Sequence, residues 1–326
     1  MFSIWVRARF VVEWWLLRAA VILIPLLPYA LLKWVAARLG SLGCLIDYRG
    51  RAAAWENLRL TFPDKSEQEI KRLRKANYQH FARVFAELFW SRKFNKSSID
   101  RFAEAHYASD ATKAAMESGC IFATIHAGNF EWLSRATAIW GYPSMIVAAN
   151  FLNHRLTATF REMRQVEGHI LIPQENAVLK LFKHLKRGGR TAMLVDLNVP
   201  PEQSSTVINC FGRETCVTLA HAALALRTQR PLVPAISIPL PDGRYAMHFL
   251  EPIAVTESDN LQAITQHCWD QFEPLIRQQP EMWMWMYKHW RYLPTNAAAA
   301  NYPAYAHVSK KYEKLAVSLG LRCISD

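Results

Sequence analysis

The chain has 326 residues, 51% of them hydrophobic, so it can bury a substantial core; length alone allows one large domain or two smaller ones, and we expect one. Its 39 Lys and Arg against 27 Asp and Glu give a formal charge of +12, which predicts attraction to nucleic acid, an anionic membrane surface or a phosphorylated substrate. No nucleic-acid motif with the required spacing is present, and the tryptophan-rich composition favours a membrane surface, where amphipathic aromatic side chains collect.

The N-terminal segment, residues 1–42, is the predicted membrane anchor and is strongly apolar from Phe10 to Leu42. Its longest clean run, Ala19 to Leu32, contains Pro25 and Pro28 and is shorter than the roughly 20 residues that a spanning helix needs. A spanning helix that begins near Trp14 remains an alternative. No small-residue cleavage site follows, so we expect a retained membrane anchor rather than a signal peptide. Basic residues flank and interrupt it, which predicts that the adjoining domain lies on the cytoplasmic side.

The six cysteines lie in apolar contexts and form no Cys-x-x-Cys pair, so metal and redox sites lack support. We expect buried reduced thiols in a domain facing the cytosol. The cysteines are Cys44, Cys120, Cys210, Cys216, Cys268 and Cys323.

Residues 51–90 have helical periodicity, and Ser66-x-x-Glu69 is a candidate capping box at the start of a long helix. The segment from Asp100 to Gly119 is predicted to be helix and turn. It leads into the stretch around which the chain is organised.

This stretch predicts a strand, a bend and a helix. The run from Cys120 to Ile125 suits a strand buried on both faces, and His126 follows at its carboxyl end. Ligands of open α/β sheets bind in the crevice outside those ends. Gly128 lets the backbone turn, and Asn129 is a plausible N-cap for the next helix.

Glu131 lies five residues after His126, a spacing at which two side chains on one continuous helix diverge by roughly 140°. If His126 sits on the bend and Glu131 in the first helical turn, the carboxylate can reach the imidazole and hold one tautomer. His126 would then be a general base oriented by Glu131. The alternative is a histidine that caps a helix and a glutamate that the helix dipole favours.

The rest of the chain alternates strand and helix patterns, which predicts an α/β sheet with helices on both faces. Further strands are predicted at residues 144–149, 170–172, 191–195, 206–211, 232–238 and 245–250, and further helices at residues 153–167, 176–186, 217–227 and 261–276.

Motifs that follow one another in a fixed order give this chain a family resemblance. They are His126-x4-Glu131, Arg164-x3-Gly168, Gly189 before Met193-Leu194-Val195-Asp196, Phe211-Gly212-Arg213 with Thr218, Trp283-x-Trp285, Lys288-x-Trp290-Arg291 and Pro294. Together they resemble the late acyltransferases of lipid A biosynthesis, a branch of the His-x4-Asp/Glu glycerolipid acyltransferases. The resemblance covers roughly residues 10–294.

The resemblance implies a single αβα acyltransferase domain with a mostly parallel or mixed central sheet, over residues 43–294. Residues 295–326 form a C-terminal tail of unassigned role. It also implies transfer of a fatty acyl chain from an acyl carrier protein or coenzyme A thioester to a hydroxyl of a lipid acceptor, a lipid A precursor. We expect no metal and no bound cofactor, and we expect the enzyme at the cytoplasmic face of the bacterial inner membrane.

The predicted substrate-binding residues are Arg164, Arg161, Asp196 and Asn129. Arg164 matches the family arginine, and a planar guanidinium suits phosphate. Arg161 lies about one turn away as support, although a solvated basic helix face explains either arginine equally well. Asp196 ends an apolar strand and can reach the same crevice.

The chain departs from the family pattern at three places that bear on the acceptor. Leu197 stands where a polar residue is usual, Ala148-Ala149-Asn150 replaces Tyr-Arg-Pro, and Tyr287 replaces a common histidine. Another glycolipid or a phospholipid therefore remains an alternative acceptor. A non-catalytic basic protein of the membrane surface and a lipid hydrolase are the rival functions.

Overall fold

The computed structural model describes residues 4–148, 151–165, 168–202, 204–295 and 297–321. Four helices come first and eight shorter ones follow within these ranges. They are α1 (Ile4–Leu23), α2 (Tyr29–Ile46), α3 (Tyr48–Thr61), α4 (Glu67–Trp90), α5 (Asp110–Ser118), α6 (Phe130–Ile139), α7 (His154–Arg164), α8 (Ala177–Lys186), α9 (Ala220–Thr228), α10 (Leu261–Asp270), α11 (Glu273–Gln278) and α12 (Lys310–Ser318).

The strands form one seven-stranded sheet and one separate hairpin. They are β1 (Ala103–Tyr107), β2 (Ile121–Thr124), β3 (Met145–Val147), β4 (Ile170–Ile172), β5 (Thr191–Leu194), β6 (Ser205–Cys210), β7 (Arg213–Thr218), β8 (Leu232–Pro239) and β9 (Tyr245–Phe249). The sheet has the order β1-β9-β8-β2-β5-β3-β4. Only the β8–β9 pair is antiparallel among its described pairs, which confirms the predicted mostly parallel α/β sheet.

Strand β2 lies at the centre of the sheet, between β8 and β5. Its side chains alternate between two hydrophobic clusters: Ile121 and Ala123 belong to one, and Phe122 belongs to the other. Successive strand residues point to opposite faces, so both faces of β2 are covered, as its apolar run predicts.

The sequence patterns missed two strands, β1 and β7. Residues Ala103–Tyr107 include Glu104 and His106, and β1 is an edge strand with one polar side, so it has no continuous apolar run. Strand β7 follows a two-residue turn in which Phe211 and Gly212 both have positive φ, the geometry of tight hairpins. The helix predicted from Val217 therefore begins only at Ala220.

The two N-terminal helices are separate, because the 3₁₀ turn Ile24–Leu26 holds Pro25 and Pro28 follows it. The alternative prediction, a spanning helix that begins near Trp14, is therefore wrong. Helix α2 is long and apolar enough to anchor the chain in a membrane. Its inner stripe, Leu32, Ala36, Gly40 and Cys44, is buried, and Gly40 lies directly on the backbone of α4.

The outer face of α2 is exposed and apolar, with Leu31, Trp34, Leu39, Leu42, Leu45 and Ile46. The predicted boundary at residue 42 falls inside this helix. The predicted anchor is therefore packed onto the rest of the fold rather than joined to it by a linker.

The C-terminal tail also packs on the domain. Tyr312 of α12 is buried, and the hydroxyl of Tyr305 donates to Oδ1 of Asn57 on α3. Five of the six cysteines are buried and free, as expected, and Cys323 lies outside the described residues.

Candidate active site

The site is built on the bend that the sequence predicts between β2 and α6. His126 lies two residues past the end of β2, outside any helix. Gly128 has φ of +57°, and a Cβ atom there would overlap the carbonyl oxygen of Ser237, so the bend requires glycine. Helix α6 then begins at Phe130, which places Glu131 in its first turn.

Asn129 is the N-cap of α6: its Oδ1 accepts the backbone N–H of Trp132 at 2.9 Å. Its Nδ2 donates to Oε2 of Glu87 at 2.7 Å, and both side chains are fully buried. The Glu87 carboxylate also accepts the hydroxyls of Tyr29 and Tyr245. Asn129 was predicted to bind substrate, but these internal bonds occupy its side chain, so it positions the helix.

The imidazole of His126 is held by Asp196, which was predicted to bind substrate but is buried behind the histidine. Nδ1 lies 2.8 Å from Oδ1 of Asp196, and the backbone N–H of His126 donates to Oδ2 at 2.9 Å. Trp283 Nε1 donates to the same Oδ2 at 2.9 Å. The register of the parallel pair β2–β5 explains why His126 and Asp196 lie together. Thr124 lies opposite Leu194, and His126 and Asp196 each follow two residues after these partners.

This pairing shifts both pKa values. Burial acts to lower the pKa of His126, but the charge and hydrogen bond of Asp196 outweigh it, so the pKa lies above the usual 6.5. Burial acts to raise the pKa of Asp196, whereas His126 and Trp283 stabilise its ionised form and bring the pKa below 3.8. An ionised carboxylate only accepts hydrogen bonds, so Nδ1 carries the ring proton and Nε2 has the free lone pair.

A second histidine lies behind this pair. His289 stacks on Trp283 at a ring-centroid distance of 3.9 Å, and burial lowers its pKa to about 4. Its Nε2 lies 2.9 Å from the carbonyl oxygen of Met284. His289 is therefore neutral, and it supports Trp283 without adding charge beside Asp196.

Glu131 does not hold the imidazole in the described contacts, which corrects the predicted pairing. Its carboxylate accepts a bidentate pair from Arg164, with Nε to Oε2 at 3.1 Å and Nη2 to Oε1 at 2.5 Å. Burial acts to lower the pKa of Arg164, and the charge of Glu131 raises it overall. Arg164 and Glu131 thus form one ion pair, whose charges largely cancel.

A cavity of 410 Å³ opens onto these groups, within the roughly 300–1,000 Å³ of small-molecule sites. His126 lines it with Glu131 and Arg164 on one side. Most of its other wall residues are apolar: Phe130, Ile146, Val147, Ala148, Ala192, Met193, Leu194 and Leu197. A smaller cavity of 30 Å³ shares Thr124, Phe130, Ser134 and Ala192 with it and extends it inward.

Residues 3–292 match the family described as bacterial lipid A biosynthesis acyltransferase. The chain belongs to that family. A comparison with curated proteins finds no match. The protein is therefore an acyltransferase of lipid A synthesis, as the sequence resemblance implied.

Of the other residues that the sequence analysis named in this acyltransferase, some line the cavity and others do not. Arg161 lies one turn before Arg164 on α7, but it is not among the described residues of the cavity wall. Leu197 lines the cavity, and Tyr287 donates its hydroxyl to the carbonyl of Asn198 at 2.7 Å. Ala149 and Asn150 lie outside the described residues.

Sequence reasoning missed several groups that support the site of the acyltransferase. The tryptophans near the end of the family match could have lined an acyl groove, faced the bilayer or packed in the core, and Trp283, Trp285 and Trp290 are buried in the core. Glu87 and His80 of α4 are buried as well, and His80 Nε2 lies 3.0 Å from the carbonyl of Gly128. A glutamate and a histidine among the apolar residues of this helix were the available signal.

Proposed function

We propose that the protein transfers a fatty acyl chain from a thioester to a hydroxyl of a lipid acceptor, with His126 as the general base. One observation carries this proposal. The Nδ1 side of His126 is fixed on buried Asp196, while the ring lines an apolar cavity large enough for a substrate. The base is therefore oriented, and Nε2 is available to a hydroxyl in the cavity.

The reaction needs one proton acceptor and one leaving group. Nε2 of His126 takes the proton of the acceptor hydroxyl as its oxygen attacks the carbonyl carbon of the thioester. The C–O bond forms, the C–S bond breaks, and the thiolate leaves with the proton from the imidazolium. Asp196 stays ionised and stabilises the imidazolium between these two steps.

Glu131 and Arg164 supply polar contacts on the same wall. We assign them to positioning, because a bidentate ion pair has a fixed plane and leaves guanidinium N–H groups free to donate to substrate oxygens. The apolar remainder of the wall suits an acyl chain. Arg164 is the first candidate for a phosphate or carbonyl oxygen of the bound substrates.

The family favours a lipid A precursor as the acceptor. For the donor we propose a thioester of an acyl carrier protein or of coenzyme A. The exposed apolar face of α2, with Trp34 and Leu42, supports action at a membrane surface. The basic residues around this anchor favour the cytoplasmic face of the bacterial inner membrane.

The test is transfer by purified His126→Ala, assayed by lipid mass spectrometry with an acyl thioester of either carrier and a lipid A precursor. Removing a general base should lower the rate on the order of 10²–10⁴-fold. His106→Ala, at an exposed histidine of β1, is the matched control and should transfer normally. Near-normal turnover by His126→Ala with an unchanged melting temperature contradicts the proposal.

A further inference from the structure

A second cavity, of 530 Å³, lies beside the active site and contains a buried arginine. Arg135 of α6 is 8% exposed and lines this cavity with Lys96, Asn95, Ser97 and Gln165. Nη2 of Arg135 donates to the carbonyl oxygen of Met163 in the last turn of α7. In the described part of the chain, no carboxylate oxygen lies within 4.0 Å of this guanidinium.

Arginine does not lose its proton in proteins, so Arg135 keeps a charge that is largely removed from water. A buried charge is costly unless it is paired, and a single carbonyl dipole does not neutralise it. Glu131 lies one turn away on α6, but its two oxygens are held by Arg164. The arrangement is that of a guanidinium prepared for an anion that is delivered from the cavity.

The surroundings of the cavity increase its positive potential. Lys96 is exposed on its rim, and Arg92 nearby pairs only loosely with exposed Glu162, at 3.4 Å. The exposed Lys93 lies over the ring of Trp90 at 5.0 Å. An open basic cavity of this kind attracts an anion and repels metal ions.

We propose that Arg135 and Lys96 bind a phosphate group of a lipid headgroup. A planar guanidinium donates two parallel hydrogen bonds to phosphate, and lysine adds a point charge. Arg135 follows Glu131 by four residues, so its Cα atom lies about 6 Å along α6 from that of Glu131, which lines the catalytic cavity. The role in substrate binding rests on the proposed function, whereas the affinity for phosphate does not.

The neighbouring anchor favours a lipid as the source of the phosphate. The side chain of Met163, whose carbonyl holds Arg135, packs in one cluster with Leu17 and Val21 of α1. The opposite face of α1 exposes Trp15, Leu16 and Val12. A headgroup at the bilayer surface beside α1 can therefore reach the cavity.

The first experiment measures phosphate binding without catalysis. The melting temperature of the full-length protein is followed with increasing inorganic phosphate, against chloride at equal ionic strength. Wild type and Lys311→Gln, which loses the same charge on α12, should be stabilised by phosphate. Arg135→Gln should bind phosphate at least tenfold more weakly, since a charge-assisted bond is lost, and Lys96→Gln should be weakened less.

Arg135 also holds the end of α7, so Arg135→Gln can lower stability for a structural reason. The decisive quantity is therefore the phosphate-dependent change in melting temperature. Lys96→Gln removes a cavity charge whose side chain makes no hydrogen bond or ion pair with the described residues. If phosphate stabilises Arg135→Gln and Lys96→Gln as much as wild type, the site is overturned.

The second experiment identifies the source of the phosphate. Phosphatidylcholine vesicles with and without phosphatidic acid provide the lipid headgroup, and coenzyme A against pantetheine provides the donor phosphates. We expect phosphatidic acid to increase vesicle binding in an Arg135-dependent way. An Arg135-dependent preference for coenzyme A alone overturns the lipid assignment. If the wild-type protein binds phosphate in an Arg135-dependent way but transfers no acyl chain, only the proposed function is contradicted.

Discussion

Replacing Asp196 by Asn tests the mechanism most sharply, because the two oxygens of Asp196 have different duties. Oδ2 accepts two N–H donors, from the His126 backbone and Trp283, whereas Nδ1 of His126 is the one described partner of Oδ1. In Asp196→Asn, the amide oxygen should take the Oδ2 position, since an NH₂ group there would face two donors. The NH₂ group then points at Nδ1 and donates to it.

This exchange forces the other tautomer of His126. With Nδ1 accepting, the ring proton moves to Nε2, and the lone pair that should take the hydroxyl proton is lost. The expected loss is that of a general base, on the order of 10²–10⁴ in kcat, or about 3–5 kcal/mol of transition-state stabilisation. A carboxylate-to-amide change in the serine protease triad acts in the same way.

The assay is transfer from a radiolabelled acyl thioester to lipid acceptor in detergent micelles, with the melting temperature measured in parallel. Asp64→Asn, on an exposed turn, is the matched control. The double variant His126→Ala with Asp196→Asn should be scarcely slower than His126→Ala, since the two residues act as one unit. If Asp196→Asn keeps more than a third of wild-type kcat, or if the two losses multiply, the tautomer argument is refuted.

Three further predictions follow from the same geometry. Because the neutral imidazole is the base and the pKa of His126 is raised, log kcat/KM should rise with pH and level off, with a midpoint above pH 6.5. A midpoint at or below pH 6.5 contradicts the pairing of His126 with Asp196. Glu131→Gln should lower kcat/KM about 10–100-fold, the contribution of one charge-assisted contact. This loss should multiply with that of His126→Ala in the double variant. If the double variant is no slower than His126→Ala alone, Glu131 acts through His126 after all. Replacing Leu39, Leu42 and Ile46 by Ser should release protein from vesicles in a flotation assay, since each side chain contributes about 1.5–3 kcal/mol when the bilayer buries it. The control Val308→Ser, at an exposed residue outside α2, should float like wild type. Equal flotation of the two variants contradicts the anchor.

The parts of the fold that local chemistry determines were predictable from sequence. The apolar run of β2, the glycine bend and the N-cap Asn129 all lie within ten residues of one another, and each is where the pattern placed it. The capping box of Ser66 and Glu69 at the start of α4 is likewise confirmed. These features depend on backbone sterics and nearest hydrogen bonds, which the sequence displays directly.

The identity of the partner of His126 could not be read in this way. Glu131 is close in sequence, and Asp196 is close only because β2 and β5 are paired with Thr124 opposite Leu194. Strand order and register are tertiary facts, decided by how two sheet faces are buried. The contribution of Trp283 is more remote still, since Trp283 follows a short 3₁₀ helix and is joined to the bend by a single bridge to Ala127.

The route by which Trp283 reaches the site also sets when the enzyme can work. Gly128 N–H donates to the carbonyl of Met282, and Met284 N–H donates to the carbonyl of His126, so the bend is clamped by a segment made much later. At roughly 5–20 residues per second, the ribosome needs on the order of 10–30 s to extend the chain from His126 to Met284. The helices α1 and α2 emerge first, during this interval. The bend that carries His126 is therefore held in place only after the segment around Met284 has been made and has docked.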